Sequence, residues 1–273
     1  MQESNPHTLL SPADFADTGQ WRLIVYISQR GMRAILRHAS DISRQPVEML
    51  DTQWAESDRG LLLKNIENAV YDHPALLDDY ATEIILETSR ICFVPNEVLE
   101  QGDDDERAIF TALYPGGEPE IIAEHLDGMT ALFSLADGLD GFISRTLPGA
   151  RIRSHLGVLT SRFAKMHTQG RNIYADMRDA EVDIVAFDGS RLISASTQPW
   201  RHPDDVVYRI FNLLNAYDID PADASIHISG THEDRHTVVK TLRQLTSDAS
   251  FTTLPPCATP LPLAMLLQAF RNG

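Results

Sequence analysis

Apolar positions recur along the chain in two rhythms, every second residue and every three to four residues. The switches between them divide the chain into elements. The sharpest stretch runs from Arg171 to Gly230. Asn172–Met177 reads as a strand. Val182–Phe187 reads as a second, with Val182, Ile184 and Ala186 alternating against Asp183, Val185 and Phe187. Asp188-Gly189 has the chemistry of a tight hairpin turn, and Arg191–Thr197 returns as a third strand. Pro199 and Pro203 stop it, and Asp204 caps a helix over 205–217 with Val207, Ile210, Phe211 and Leu214 at helical spacing. A short buried strand follows at Ser225–Ser229, then a helix (His232–Leu245), a strand (Ser250–Leu254) and a terminal helix (Leu263–Phe270). The order is β-β-β-α-β-α-β-α.

The N-terminal half has a related pattern. Residues 1–19 read as a loosely packed leader. Trp21–Ile27 and Met32–His38 are strands turned at Gly31, and a third lies near Val47–Leu50. Gly60–Tyr71 is an amphipathic helix with Leu62, Ile66, Ala69 and Val70 inward; strands at Thr82–Glu87 and Arg90–Val94 follow. A short helix starts after Pro95. Asp103 to Asp105 cap and charge the start of a helix over Glu106–Tyr114, which Pro115-Gly116-Gly117 ends. Strand-like segments at Glu120–His125 and Met129–Leu135 precede a helix (Leu139–Thr146) closed by Pro148-Gly149, a strand (Arg151–His155) and a helix (Leu156–His167). Two domains are expected, 1–148 and 149–273, with the boundary near Pro148.

Charge narrows the partners. Acidic residues number 39 against 23 basic, a formal charge of −16. Such a surface repels phosphate backbones and anionic lipid, so nucleic acid is not an expected partner. No run of 18 apolar residues exists, so no membrane insertion is expected. Met1–Gln20 lacks the basic start and apolar run of a signal peptide. Two cysteines, Cys92 and Cys257, read as free thiols in a reducing cytoplasm.

The element order is that of a ribonuclease-H-like domain, and two such domains in tandem make the actin-like ATPase fold. The chain resembles that superfamily, and more narrowly an uncharacterised bacterial domain-of-unknown-function family of about this length. The local match is Ala175-Asp176-Met177-Arg178-Asp179-Ala180-Glu181-Val182-Asp183 and the strand after it. Active members of the superfamily have here a strand ending in Asp, two or three glycines, Thr, and often a second Asp. Asp176 and Asp183 stand at the two acids, but Arg178, Asp179, Ala180 and Glu181 replace the glycines. Glycines let backbone N–H groups approach phosphate closely. Asp179 and Glu181 also add charge, each like-charge contact at about 4 Å costing on the order of 4 kcal/mol. The first-domain hairpin, Ser28-Gln29-Arg30-Gly31, lacks the superfamily's acid, and the adenosine turn keeps one glycine, Gly230.

The resemblance therefore implies the architecture without the hydrolysis: a binding or scaffold protein with no catalytic residue and no cofactor. A protein partner or a small ligand is expected in the interdomain cleft. The alternative it leaves open is an active ATPase or sugar-type kinase with divergent loops. ATP and magnesium would then be the cofactors, and Asp176, Asp183 and Gly230 the binding residues.

Three further patterns carry no expected chemistry. His232-Glu233-Asp234-Arg235-His236 matches the zinc-protease spacing, but it begins at a helix start and no His or Glu follows it as a third ligand, so no metal is expected. Asp176, Asp179 and Asp183 read as an exposed turn whose strand neighbours alternate faces, not as converging nuclease carboxylates. Leu254–Pro262, with four prolines, reads as a rigid return of the chain to its own core.

Overall fold

The computed structural model describes residues 17–99, 105–117 and 119–271. The leader up to residue 16 and the cap at Asp103 lie outside them. In the first unit, strands β1 (Trp21–Ile27), β2 (Gly31–His38) and β3 (Val47–Gln53) form an antiparallel meander, followed by α1 (Leu62–Tyr71) and β4 (Ala81–Leu86). Then come β5 (Ile91–Pro95), α2 (Asn96–Leu99), α3 (Asp105–Leu113), β6 (Ile121–His125), β7 (Met129–Ser134), α4 (Leu139–Thr146), β8 (Arg151–Ser154) and α5 (His155–Phe163). The second unit holds β9 (Arg171–Met177), β10 (Glu181–Asp188), β11 (Arg191–Pro199), α6 (Pro203–Ala216), β12 (Ala224–Gly230), α7 (Arg235–Leu245), β13 (Asp248–Phe251) and α8 (Leu263–Ala269).

The two large sheets have one topology. The first runs β3-β2-β1-β4-β8 and the second β11-β10-β9-β12-β13. In each, three antiparallel strands are extended by two parallel ones. This is the tandem order that the sequence implied. A three-stranded antiparallel sheet, β5-β7-β6, is inserted into the first unit and covers its own small core of Val94, Phe110 and Leu132.

The boundary expected near Pro148 precedes two elements that belong to the first unit. β8 pairs parallel with β4 from Glu83↔Arg151 to Leu86↔Ser154, and the second sheet begins only at Arg171. Pro148-Gly149 is a turn within that unit. The last helix also crosses over: Leu263, Met265, Leu266 and Leu267 of α8 are buried in the first core.

β9 and β10 are covered on both faces, which explains their near-continuous apolar run. Ile173, Ala175, Met177, Val182, Ile184 and Ala186 pack with α6 and α7. Tyr174, Val185 and Phe187 point the other way, into the core shared with α5 and α8. Asp176 and Asp183 lie on that second face, toward the cleft between the units.

Candidate functional site

The cleft is built where the two hairpins β1–β2 and β9–β10 face each other. In the second, Arg178 N donates to Glu181 O at 2.9 Å, so Asp179 and Ala180 alone form the turn. A turn that short keeps the strands in register, with Asp183 directly opposite Asp176. The two carboxylates therefore share a face and are buried, 2% and 4% exposed. This corrects the expected exposed, non-converging turn; of the three acids only Asp179, at the tip, is exposed. It forms an ion pair with Arg30 of the first hairpin at 2.8 Å.

Asp183 is heavily partnered. Its Oδ1 accepts from Thr197 Oγ1 at 2.6 Å and Arg178 NH2 at 3.0 Å, and lies 3.2 Å from His155 Nε2. The Thr88 amide donates to His155 Nδ1 at 3.4 Å, on the edge of the ring away from Asp183. Burial alone would raise the Asp183 pKa, but the adjoining His155 and Arg178 and the hydrogen bonds hold it well below the usual carboxylate range. Asp176 receives one bond, from Ser229 Oγ at 2.9 Å. Burial, and then the charge of Asp183, push its pKa up to about 7.

Arg178 occupies the middle of the cleft. It pairs with Glu87 of the first unit at 2.6 Å, with Asp183 at 3.0 Å and with Glu181 at 3.4 Å. Burial opposes its charge, but these acids outweigh burial and raise its pKa. Tyr26 donates to the other oxygen of Glu87 at 2.5 Å. Burial and the neighbouring Glu87 charge raise the Tyr26 pKa well above its ordinary value. Cavities of about 240, 520 and 700 Å³ open around this point, and Arg178 lines all three.

Two backbone amides of the first hairpin are engaged within their own loop. In the first hairpin, Ser28 Oγ accepts from the amides of Arg30 and Gly31 at 3.1 and 3.2 Å. Gly230 lines the 240 Å³ cavity at φ +109°, and a Cβ there would collide with the backbone of Met177. Close strand packing is sufficient reason for that glycine.

Leu254–Pro262 spans the cleft from β13 to α8. Gln45 holds it with two bonds, Nε2 to Pro256 O and Oε1 from Ala258 N, both 3.1 Å, and Arg33 donates to Pro260 O at 2.5 Å. This strap roofs the smaller cavity with Leu254, Pro255, Leu261 and Pro262. Its four prolines were visible in the sequence as rigidity; its position over the cleft was not.

The two histidines of the zinc-like spacing are held separately. His232 precedes α7 and packs edge-on against Trp200, while His236 packs against Phe251. Among the described residues, no three His, Cys, Asp or Glu side chains cluster as metal ligands, and no helix is long and apolar enough to cross a membrane.

The sequence profile of a family described as "Protein of unknown function (DUF3822)" matches residues 12–248. No curated protein matches the sequence. Among solved structures the chain is similar to a Bacteroides thetaiotaomicron VPI-5482 protein with actin-like ATPase fold and unknown function. The match has 17% identity and a TM-score of 0.81, covering 95% of this chain and 99% of that one. The likeness shows the fold: this chain has the actin-like ATPase fold. Similarity is lower to the PilM–PilN type IV pilus biogenesis complex, at 9% identity and TM-score 0.48 over 85% of this chain and 88% of that one. It is also lower to the cytoplasmic domain of EpsL, an inner membrane component of the Vibrio cholerae type II secretion system, at 10% identity and TM-score 0.46 over 92% and 94%.

Proposed function

The chain belongs to the family described as Protein of unknown function (DUF3822), and we propose that it is a non-catalytic actin-like protein, a binding or scaffold protein that has lost nucleotide hydrolysis. One observation carries this reading: the Arg178 side chain stands in the cleft between the two hairpins with its charge taken up by Glu87 and Asp183, in place of the glycine backbone that cradles a phosphate. The engagement of the Ser28 loop amides and the closed two-residue turn at Asp179-Ala180 support it. The cleft then serves a protein partner or a small ligand without a cofactor. The free thiols of Cys92 and Cys257 fit a bacterial cytoplasm.

A second reading, an ATPase or sugar-type kinase with divergent loops, is favoured by the convergence of Asp176 and Asp183 in the cleft, where they would help hold magnesium. Isothermal titration with MgATP separates the two. The first expects no binding tighter than about 1 mM, roughly 4 kcal/mol of binding free energy. Low-micromolar binding that Asp176→Ala abolishes would establish the second.

A further inference from the structure

A concentration of positive charge lies on the first unit, apart from the cleft. Arg22 on β1 and Arg37 on β2 stand directly opposite each other and so share one face of the sheet. Two more arginines meet that face from the helices packed on it, Arg162 from the last turn of α5 and Arg271 just after α8. The Arg271 carbonyl lies 3.4 Å from Arg37 NH1. None of the four lines a cleft cavity.

Like charges placed directly opposite destabilise a strand pair, yet this chain of formal charge −16 supplies no acid to relieve them. Glu83, the carboxylate nearest Arg37, is already engaged: Gln268 Nε2 donates to both its oxygens at 2.7 Å, and Arg153 pairs with it at 3.5 Å and with Glu124 at 2.5 Å. Among the described residues, no carboxylate pairs with Arg22, Arg37, Arg162 or Arg271. Burial, and then the charges of Arg22, Arg271 and Arg162, lower the Arg37 pKa, with Glu83 opposing them. Burial, and then Arg271 and Arg153, lower that of Arg162.

The donors are held in place and left open. Arg37 is 8% exposed, yet only its NH1 has acceptors, the carbonyls of His38 and Arg271 at 3.5 and 3.4 Å. Its remaining nitrogens have no partner among the described residues and are not sealed from solvent. The half-buried Arg162 guanidinium likewise has no acceptor among the described residues. The negative end of a helix accounts for a cation at the end of α5 and another at the end of α8, but not for two more on the strands beneath.

We propose that the guanidinium groups of Arg22, Arg37, Arg162 and Arg271 form a site for one phosphoryl dianion, either free phosphate or a small phosphate ester. A tetrahedral phosphoryl group offers three charged oxygens to donors arriving from several directions, whereas a carboxylate offers two in one plane. A polymer of phosphates is disfavoured, because its further charges would meet the acidic remainder of the surface, while a single group feels chiefly the field within about 10 Å. The inference does not depend on what the cleft binds.

Titration calorimetry on the full chain in low-salt chloride buffer tests it, with inorganic phosphate and glycerol 3-phosphate against succinate, a dianion of two carboxylates. At least one phosphoryl compound is expected to bind about tenfold or more tighter than succinate, and Arg37→Gln and Arg162→Gln each to weaken it about tenfold. Tighter binding of inorganic phosphate assigns the site to the free anion, and tighter binding of glycerol 3-phosphate assigns it to an ester. Thermal melts guard against a fold defect: in chloride alone Arg162→Gln, which relieves repulsion, is expected to melt no lower than wild type, while phosphate raises the wild-type melting temperature and not that of the variant. No phosphoryl binding, equal binding of succinate, or full phosphate binding by Arg162→Gln overturns the proposal. A lower melting temperature of Arg162→Gln in chloride, with the same gain from phosphate as wild type, overturns it in favour of a purely structural arginine. MgATP binding that Asp176→Ala abolishes and Arg162→Gln leaves intact would overturn the reading of the cleft and not this one.

Discussion

Asp176 retains an ionisable group where burial and the Asp183 carboxylate both oppose its charge. The unfolded chain releases this proton near pH 3.9, while the folded chain keeps it up to about pH 7. Between those values the native state binds more protons than the unfolded state, so stability falls as pH rises. The loss is complete above about pH 7 and is on the order of 4 kcal/mol as an upper figure. Asp183 has the opposite sign: its folded pKa is depressed, so its contribution is present above about pH 4 and is lost in more acidic solution. The two windows do not overlap. The expected result is a melting temperature that declines from pH 5 to pH 8 in the wild type and is flatter in Asp176→Asn, with the variant the more stable at pH 8. Parallel curves for the two proteins would refute the assignment. Both acids were legible in the sequence as residue types, and their convergence was not. A one-residue change in turn length moves a strand's side chains to the other face, and the local sequence does not state that Asp179 and Ala180 alone make the turn. The importance of Arg178 was similarly hidden, because Glu87 comes from the first unit.

Among the elements, α5 depends on a buried junction at its N-terminus. Ser154 ends β8 and caps the helix by accepting from Gly157 N at 2.9 Å. Glu124 of β6 accepts from Ser154 N and Oγ at 3.0 and 2.9 Å and from Arg153 Nε at 2.5 Å. The inserted sheet is thereby tied to the main sheet through a buried ion pair. A Cβ on Gly157 would collide with the Glu124 carboxylate and the Ser154 hydroxyl. Gly157→Ala is therefore expected to force Glu124 away from Arg153. The cost should approach the about 3–5 kcal/mol of breaking a buried pair, read as a lower urea midpoint with an unchanged slope. A midpoint within error of wild type would show that the junction relaxes freely. The strand and helix positions themselves were largely readable from the two periodicities. Their ends and partners were less so. α7 begins at Arg235 rather than at His232, and β13 runs Asp248–Phe251 rather than reaching Leu254. The alternation in Ile121–His125 and Met129–Ser134 announces strands without saying that the second lies between the first and β5 in a separate sheet, because alternation encodes which face is buried, not which neighbour is hydrogen-bonded.

At the scale of the whole molecule, the two units are joined by features on either side of the cleft. Arg178 bridges to Glu87, and the strap carries the chain back so that α8 completes the first core. The tip pair Arg30–Asp179 adds little, being exposed on both sides. The Arg178–Glu87 pair is mostly buried, at 20% and 18% side-chain exposure, so removing one partner should cost more than the pair itself contributes. Arg178→Met leaves Glu87 and Asp183 facing each other without a cation. It is expected to destabilise the protein by about 3–5 kcal/mol and to loosen the cleft. Arg178→Met with Glu87→Gln removes one of the stranded charges and is expected to recover part of that loss, giving a coupling energy of about 0.5–3 kcal/mol in a double-mutant cycle. Loosening has its own readout, faster amide exchange in the two hairpins and the strap together, with a larger radius of gyration in solution scattering. A strictly additive cycle with unchanged exchange would show that the strap and α8 alone hold the units, and that Arg178 fills the cleft without clamping it.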